Sequence, residues 1–178
     1  IKHGFTTDKV FFDYIGYAGH YSSMPYLQDY FAVRKLKAEG IIDDKTIVMP
    51  GHPGDFLRGS HLEPRYQNAS IESLTTGIIE KFGSALPIQR NERNELKGFI
   101  AENFFDSRKP LWNRFETWDL IERQSKFIGN SVSVFSFFGI DARMPLFDNE
   151  MLGFFKCLSF EQKSGDAFYN SKLENYLF

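Results

Sequence analysis

Two stretches of this 178-residue chain combine residue types and spacings that could do chemistry. The first is Pro50-Gly51-His52-Pro53-Gly54-Asp55-Phe56-Leu57-Arg58-Gly59-Ser60-His61, directly after the apolar run Thr46-Ile47-Val48-Met49. Glycines let a backbone approach an anion closely. A carboxylate such as Asp55 can share a Mg2+ ion with phosphate oxygens and water. Ligands of open α/β sheets bind beyond the carboxyl ends of strands, so a strand, a Gly-rich turn, an Asp and a helix suit a metal-bound phosphate group. The same pattern also describes a tight turn in which Asp55 is only a helix N-cap. The second stretch is Phe138-Gly139-Ile140-Asp141-Ala142-Arg143-Met144-Pro145-Leu146-Phe147-Asp148-Asn149-Glu150. Asp141 and Arg143 alternate along an extended segment and share one face, where they could pair or jointly hold a polar ligand. Taken alone it also reads as an architectural elbow, with Pro145 fixing the exit and Asp148 capping the next helix.

Other reactive side chains carry weaker signals. His20, His52 and His61 include no pair at the i, i+4 spacing of a helical zinc motif, and His52 and His61 are expected to line the turn or face solvent. Cys157 sits among Phe154, Phe155 and Leu158 and is expected to be an inert core thiol. Trp112 and Trp118 fall on a long helical pattern, where they should pack the core. Arg123 and Lys126, on the same pattern, could reach an anion or simply be solvated.

The elements that must position these residues are mostly helical. The opening to Met24 reads as irregular with one short helix. Ser22, Ser23 and Pro25 signal a helix start, Tyr26, Tyr30, Val33 and Leu36 continue at helical spacing, and Gly40 stops it. Thr46 to Met49 is the best strand, and its lack of alternation predicts burial on both faces, as in a parallel sheet. Ser70 opens a helix with Ile71, Leu74, Ile78 and Phe82 on one stripe, and another covers Asn91 to Phe105. The longest pattern runs from Pro110 to about Phe138 and breaks at Gly139. A helix follows Asp148 through Leu158, and a last one starts at Ser164 or Asp166. No repeat or linker divides the chain, so residues 1–178 read as one domain, mostly α with one or two short strands. A parallel strand needs neighbours, and the expectation is that partners of Thr46–Met49 lie upstream in a longer protein.

Composition narrows the function classes. Aromatics reach 17%, with 20 Phe, which excludes a disordered segment. A net charge of −2 with scattered Lys and Arg excludes a binder driven by phosphate-backbone neutralisation, so no nucleic-acid partner is expected. No apolar run approaches the length of a membrane span. A single cysteine rules out an internal disulfide and fits a reducing, cytoplasmic setting.

Together the two stretches resemble the asparagine synthetase family, which belongs to the ATP-pyrophosphatase (adenine-nucleotide α-hydrolase) superfamily. That family follows a strand of its ATP domain with a pattern like G-E-G-x-D-E-x-F-G-G-Y, and well downstream has one like S-L-E-x-R-x-P-F-L-D. Gly51 to His61 is similar to the first and Gly139 to Asp148 to the second, in the family's order and with a helical segment between. The resemblance implies a truncated, Rossmann-like α/β synthetase domain, of which this chain is the C-terminal part. It implies a carboxylate that attacks the α-phosphate of ATP to give an acyl-adenylate and pyrophosphate, followed by ammonia displacing AMP. ATP and Mg2+ are the implied cofactors. By position, Asp55 matches the metal and pyrophosphate Asp; Gly51, His52, Gly54 and Gly59 would line the turn with it; Asp141 and Arg143 match the later acidic and basic pair that shapes the site.

The chain departs from the family in named places. His52 and Phe56 stand where the family has Glu, and Gly59-Ser60-His61 stands for Gly-Gly-Tyr. The phosphate-gripping S-G-G-x-D-S loop is not found, so this chain alone is expected to be inactive toward ATP. The drift resembles relatives in surface-polysaccharide synthesis, where a sugar is amidated, and a non-catalytic interaction module is the remaining alternative. The expected partners are a small-molecule carboxylate or sugar, the N-terminal part of the same protein, a glutaminase domain or subunit supplying ammonia, and a second copy in a homo-oligomer.

Overall fold

A computed structural model of the chain describes residues 8–19, 26–83 and 87–177. Helices dominate, and the described residues gather into two compact units. The first comprises Ile1–Gly54 with Glu122–Gly153, and the second Asp55–Ile121 with Phe154–Phe178. The expected helix start at Ser22, Ser23 and Pro25, and His20, lie outside the described residues.

The first unit contains α1 (Lys9–Gly19), α2 (Tyr30–Ala38) and β1 (Ile47–Val48). Tyr14 and Ala18 of α1 and Tyr30 and Val33 of α2 are buried, with Val134 and Ile140 from later in the chain. Rings supply much of this core: Tyr14 stacks on Tyr30 at 4.9 Å and meets Phe137 edge-on at 5.3 Å. Such offset and edge-to-face contacts add to simple burial. Gly40 ends α2 at φ +68, as its position predicts.

The second unit begins within α3 (Gly54–Arg58), at Asp55, and continues with α4 (Ile71–Phe82), α5 (Arg90–Phe104) and α6 (Leu111–Trp118). Ser70 caps α4 by accepting a hydrogen bond from the Ser73 N–H at 3.1 Å, which satisfies one of the orphan donors of a helix start. Leu74 and Ile78 are buried as their spacing predicts, together with Ile100 of α5 and Phe115 and Trp118 of α6. Trp112 packs against this cluster.

The long pattern from Pro110 is helical but not uniform. After α6 comes a ten-residue π-helical segment, Asp119–Ile128, and then α7 (Gly129–Ser131) and α8 (Ser133–Phe137). A π-helix widens the turn and shifts each later side chain around the axis, which three-or-four spacing cannot reveal. Gly139, at φ +72, then releases the chain into β2 (Asp141–Ala142). Asp148 accepts from the Glu150 N–H at 2.8 Å and starts α9 (Asn149–Lys156), as expected. A short α10 (Phe160–Lys163), a 3-10 turn (Ser164–Asp166) and α11 (Ala167–Leu177) complete the chain.

β1 and β2 form a parallel pair with Ile47 opposite Asp141 and Val48 opposite Ala142. Burial on both faces, expected for Thr46 to Met49, does not hold. Val48 packs against the aromatic core of its unit, whereas Ile47 is 53% and Met49 70% exposed. The core lies on one side of the pair, so alternate side chains of the strand point away from it. Cys157 is exposed rather than buried, because α9 ends at Lys156 and the residue leaves its last turn. No helix among the described residues is long and apolar enough to cross a membrane.

Candidate functional site

Parallel pairing sets two strand ends side by side, and here it places the strand that leads into the first suggestive stretch beside Asp141–Ala142 of the second. The Arg143 N–H donates to the Val48 carbonyl at 2.9 Å, so the ladder runs into the second motif just as the Gly-rich turn leaves the first strand. Gly54 closes against Leu146 of the second motif, where an added Cβ would stand 3.5 Å from Leu146 Cδ1. Asp141 and Arg143 pair through Nε and Oδ2 at 3.0 Å, with half or more of each side chain exposed. This is the pairing that their alternation allows. Gly51 is exposed and His52 half-buried.

Asp55 and Gly59 belong to the second unit. Asp55 stands in the first turn of α3 with its side chain 69% exposed, and Arg58 holds it at 3.0 Å. Its backbone carbonyl accepts from the N–H and the hydroxyl of Ser60, at 3.1 and 2.8 Å, which tightens the helix end. Asp55 therefore lies inside α3 and is not its N-cap. Arg58 also reaches Asp166 at 3.4 Å. Phe56, at a position where the resembled family has Glu, is buried. Position 56 faces a core in this fold, and a carboxylate there would be desolvated.

Gly59 adopts φ +87, and a Cβ added to it would lie 2.3 Å from the Lys163 carbonyl oxygen. Several contacts fasten the segment around Lys163 to this turn. The Ser164 hydroxyl donates to the Leu62 carbonyl at 2.9 Å, and Gln67 donates to Glu161 at 2.7 Å. A glycine is needed here because two backbones meet at close range.

A buried polar cluster lies in the same unit and was not legible in the motifs. His61 Nδ1 lies 2.8 Å from Asp119 Oδ2, and the Asp119 side chain is 1% exposed. Lys163 pairs with Glu116, both nearly fully buried. His61 thus neither lines the turn freely nor faces solvent. Burial pushes the Glu116 carboxyl above its usual range; the Lys163 ammonium opposes that rise and the Asp119 charge adds to it. The sequence signal was the placement of Glu116 and Asp119 next to Phe115 and Trp118, inside the stripe that packs the core.

A Mg2+ ion commonly takes one or two protein carboxylates and completes its shell with phosphate oxygens and water. An exposed Asp55 fits that donor set, provided that Arg58 yields it. No group of three or more His, Cys, Asp or Glu side chains suited to a metal ion occurs among the described residues. Lys126 pairs with Glu122 one helical turn away. A shallow cleft of about 260 Å3 lies between α4 and α5, lined by Glu72, Thr75, Asn94 and Lys97. It contains none of the sequence-predicted site residues and is crossed by the Lys97–Glu72 ion pair at 2.6 Å. Compared with family models, with curated proteins and with solved structures, the chain matches none.

Proposed function

We propose that the chain is the pyrophosphate-side part of an ATP-dependent amide ligase of the asparagine synthetase type. In this reading β1 and β2 are two strands of a larger, Rossmann-like parallel sheet. A substrate carboxylate oxygen attacks the α-phosphorus of ATP, and the bond to the pyrophosphate oxygen breaks. Ammonia then attacks the acyl carbon, and AMP leaves with the carboxylate oxygen. The Gly51–Gly54 turn offers close backbone approach to an anion, and Asp55, if released by Arg58, would be the carboxylate to hold a Mg2+ ion, which would supply positive charge to the leaving pyrophosphate. The Asp141–Arg143 pair shapes the wall beside the turn. The observation that supports the reading is the parallel pairing of β1 with β2, which sets the strand leading into the first resembling segment beside Asp141–Ala142 of the second.

The test is ATP–pyrophosphate exchange and Mg-pyrophosphate calorimetry on the natural full-length protein. Binding should be measurable, and Asp55→Ala should lower exchange by more than about tenfold, equal to ~1.4 kcal/mol. Activity surviving within that limit would remove Asp55 from the role. The acceptor, an amino-acid carboxylate or a sugar acid, follows from product analysis. A second reading, an interaction module without chemistry, draws on Phe56 being buried and Asp55 being held by Arg58. Failure of the full-length protein to bind either Mg-ATP or pyrophosphate would favour it.

A further inference from the structure

Three side chains of the second unit meet beside α3 without completing their bonds. Arg58 holds Asp55 through Nη2 at 3.0 Å and brings Nε to 3.4 Å from Asp166 Oδ1. The second pair is close enough to attract but forms no hydrogen bond. Nε and Oδ1 are both shut off from solvent, and neither has a hydrogen-bond partner among the described residues. Buried polar atoms are normally satisfied, so such an exception calls for an explanation. The Tyr169 ring supports the guanidinium, with its centroid 5.5 Å from Cζ. The backbone holds Asp166 at this spot. Asp166 stands at φ +64, directly after Gly165 at φ +65, and glycines aside it alone among the described residues has a positive φ. The Ser164–Leu62 hydrogen bond and the close approach of Lys163 to Gly59 fix the turn from its other side. Arg58 thus holds one exposed carboxylate and faces a sheltered one that it does not fully engage.

We propose that Arg58 is a switch between these two carboxylates, and that a divalent cation taken up by Asp55 sends it to Asp166. The inference rests on the reading of Asp55 as the cation's carboxylate. A cation on Asp55 cancels the charge that holds Arg58 there and repels the guanidinium. Asp166 then receives Arg58 in a charge-assisted pair, which satisfies Nε and Oδ1 together. Asp55 is released at lower cost than if Arg58 were left without a second partner. The consequence reaches along the chain. Asp166 precedes α11 and Tyr169 lies in its first turn, whereas Asn170 to Tyr176 are all exposed. The contacts of Arg58 therefore help to seat the start of α11 on its unit. Cation binding at Asp55 and the seating of α11 are coupled, and by linkage each favours the other. Asp166 is a positioning residue in this scheme, since it acts on the cation through Arg58 alone.

The test uses the natural full-length protein, with Mg2+ and inorganic pyrophosphate as the probe. Calorimetry reads affinity, and nuclear magnetic resonance reads solvent exchange at the Arg58 Nε–H and at the Ser171 to Leu173 amides. The probe should slow exchange at both by about fivefold or more. With no probe present, Asp55→Asn should slow them likewise, because Arg58 is then free to move. Asp166→Asn keeps a residue type that tolerates the left-handed region. It should weaken probe affinity by about fivefold or more and abolish the slowing. Arg58→Gln should leave the affinity within about threefold, since in the loaded state Arg58 has turned away. A loss of about tenfold or more in Arg58→Gln, with Asp166→Asn unchanged, would make Arg58 a direct pyrophosphate ligand and overturn the switch. Unaltered exchange in Asp55→Asn would overturn it as well. If the unsubstituted protein binds no probe, the cation reading of Asp55 fails and the trigger with it. If it binds and Asp166→Asn binds equally well, the switch alone fails.

Discussion

At the scale of single residues, Gly59 and Lys163 are closely constrained by their surroundings. Gly59→Ala puts a Cβ 2.3 Å from a backbone carbonyl, on a residue already in the left-handed region. Strain of that kind should cost about 2–4 kcal/mol in urea unfolding; a loss below about 0.5 kcal/mol would mean that the turn is not seated on Lys163. Lys163→Met leaves Glu116 buried without its cation, and one-sided removal of a buried pair costs about 3–5 kcal/mol. Adding Glu116→Gln to Lys163→Met should recover most of this loss, because the unpaired charge is then gone. The pH dependence has a definite sign. Glu116 titrates above its ordinary 4.5 in the folded chain because it is buried. Its contribution is therefore complete below 4.5 and is lost as pH rises through the raised folded value. Glu116→Gln should gain stability relative to the parent as pH climbs from 4.5 toward neutrality. Urea midpoints at several pH values read that difference, and a parallel pair of curves would contradict it.

At the scale of elements, local signals and packing agree in some places and part in others. The Ser70 cap on α4 is a local device, and Ser70→Ala should lower stability by about 1 kcal/mol, as a shift in urea midpoint at unchanged slope. The α6 to α8 stretch behaves differently. Apolar spacing runs through it, yet ten residues adopt π-helical geometry, because side-chain spacing does not encode which carbonyl each N–H chooses. The β1–β2 ladder is two residues per strand. Its partners are far apart in sequence, so nothing local to either strand could reveal the pairing. Only the Gly139 turn and the apolar run before Pro50 announced that strands were present.

At the scale of the whole molecule, residues 1–178 read as one domain in sequence, and the described residues cluster into two units with separate cores. The chain passes between the units within α3, within the π-helical segment and within α9. The first crossing follows directly on the Pro- and Gly-rich run Pro50–Gly54, whereas no such run marks the other two, which lie inside helices. Large apolar side chains remain exposed on both units, among them Phe12, Ile41, Met49, Phe99, Phe154 and Tyr176. Where such side chains adjoin in a contiguous patch, the surface marks a covered or interacting face. The 178-residue chain by itself should therefore self-associate in sedimentation velocity as concentration rises, and it should bind a hydrophobic dye. A monomer at every concentration with no dye signal would show these side chains to be tolerated singly.

The sequence by itself determined the helical character of the chain, the Ser70 and Asp148 helix starts, the Gly40 and Gly139 stops, and the alternation that lets Asp141 meet Arg143. Each of these depends on a residue and its neighbours within about one turn, where backbone sterics and capping act. Tertiary structure alone decided that β1 lies beside β2, that Phe56 turns inward, that Cys157 turns outward, and that His61 reaches Asp119 across 58 positions. Those outcomes depend on which apolar faces close on one another. That choice is made by burial summed over a whole core, and no single stretch of the sequence contains it.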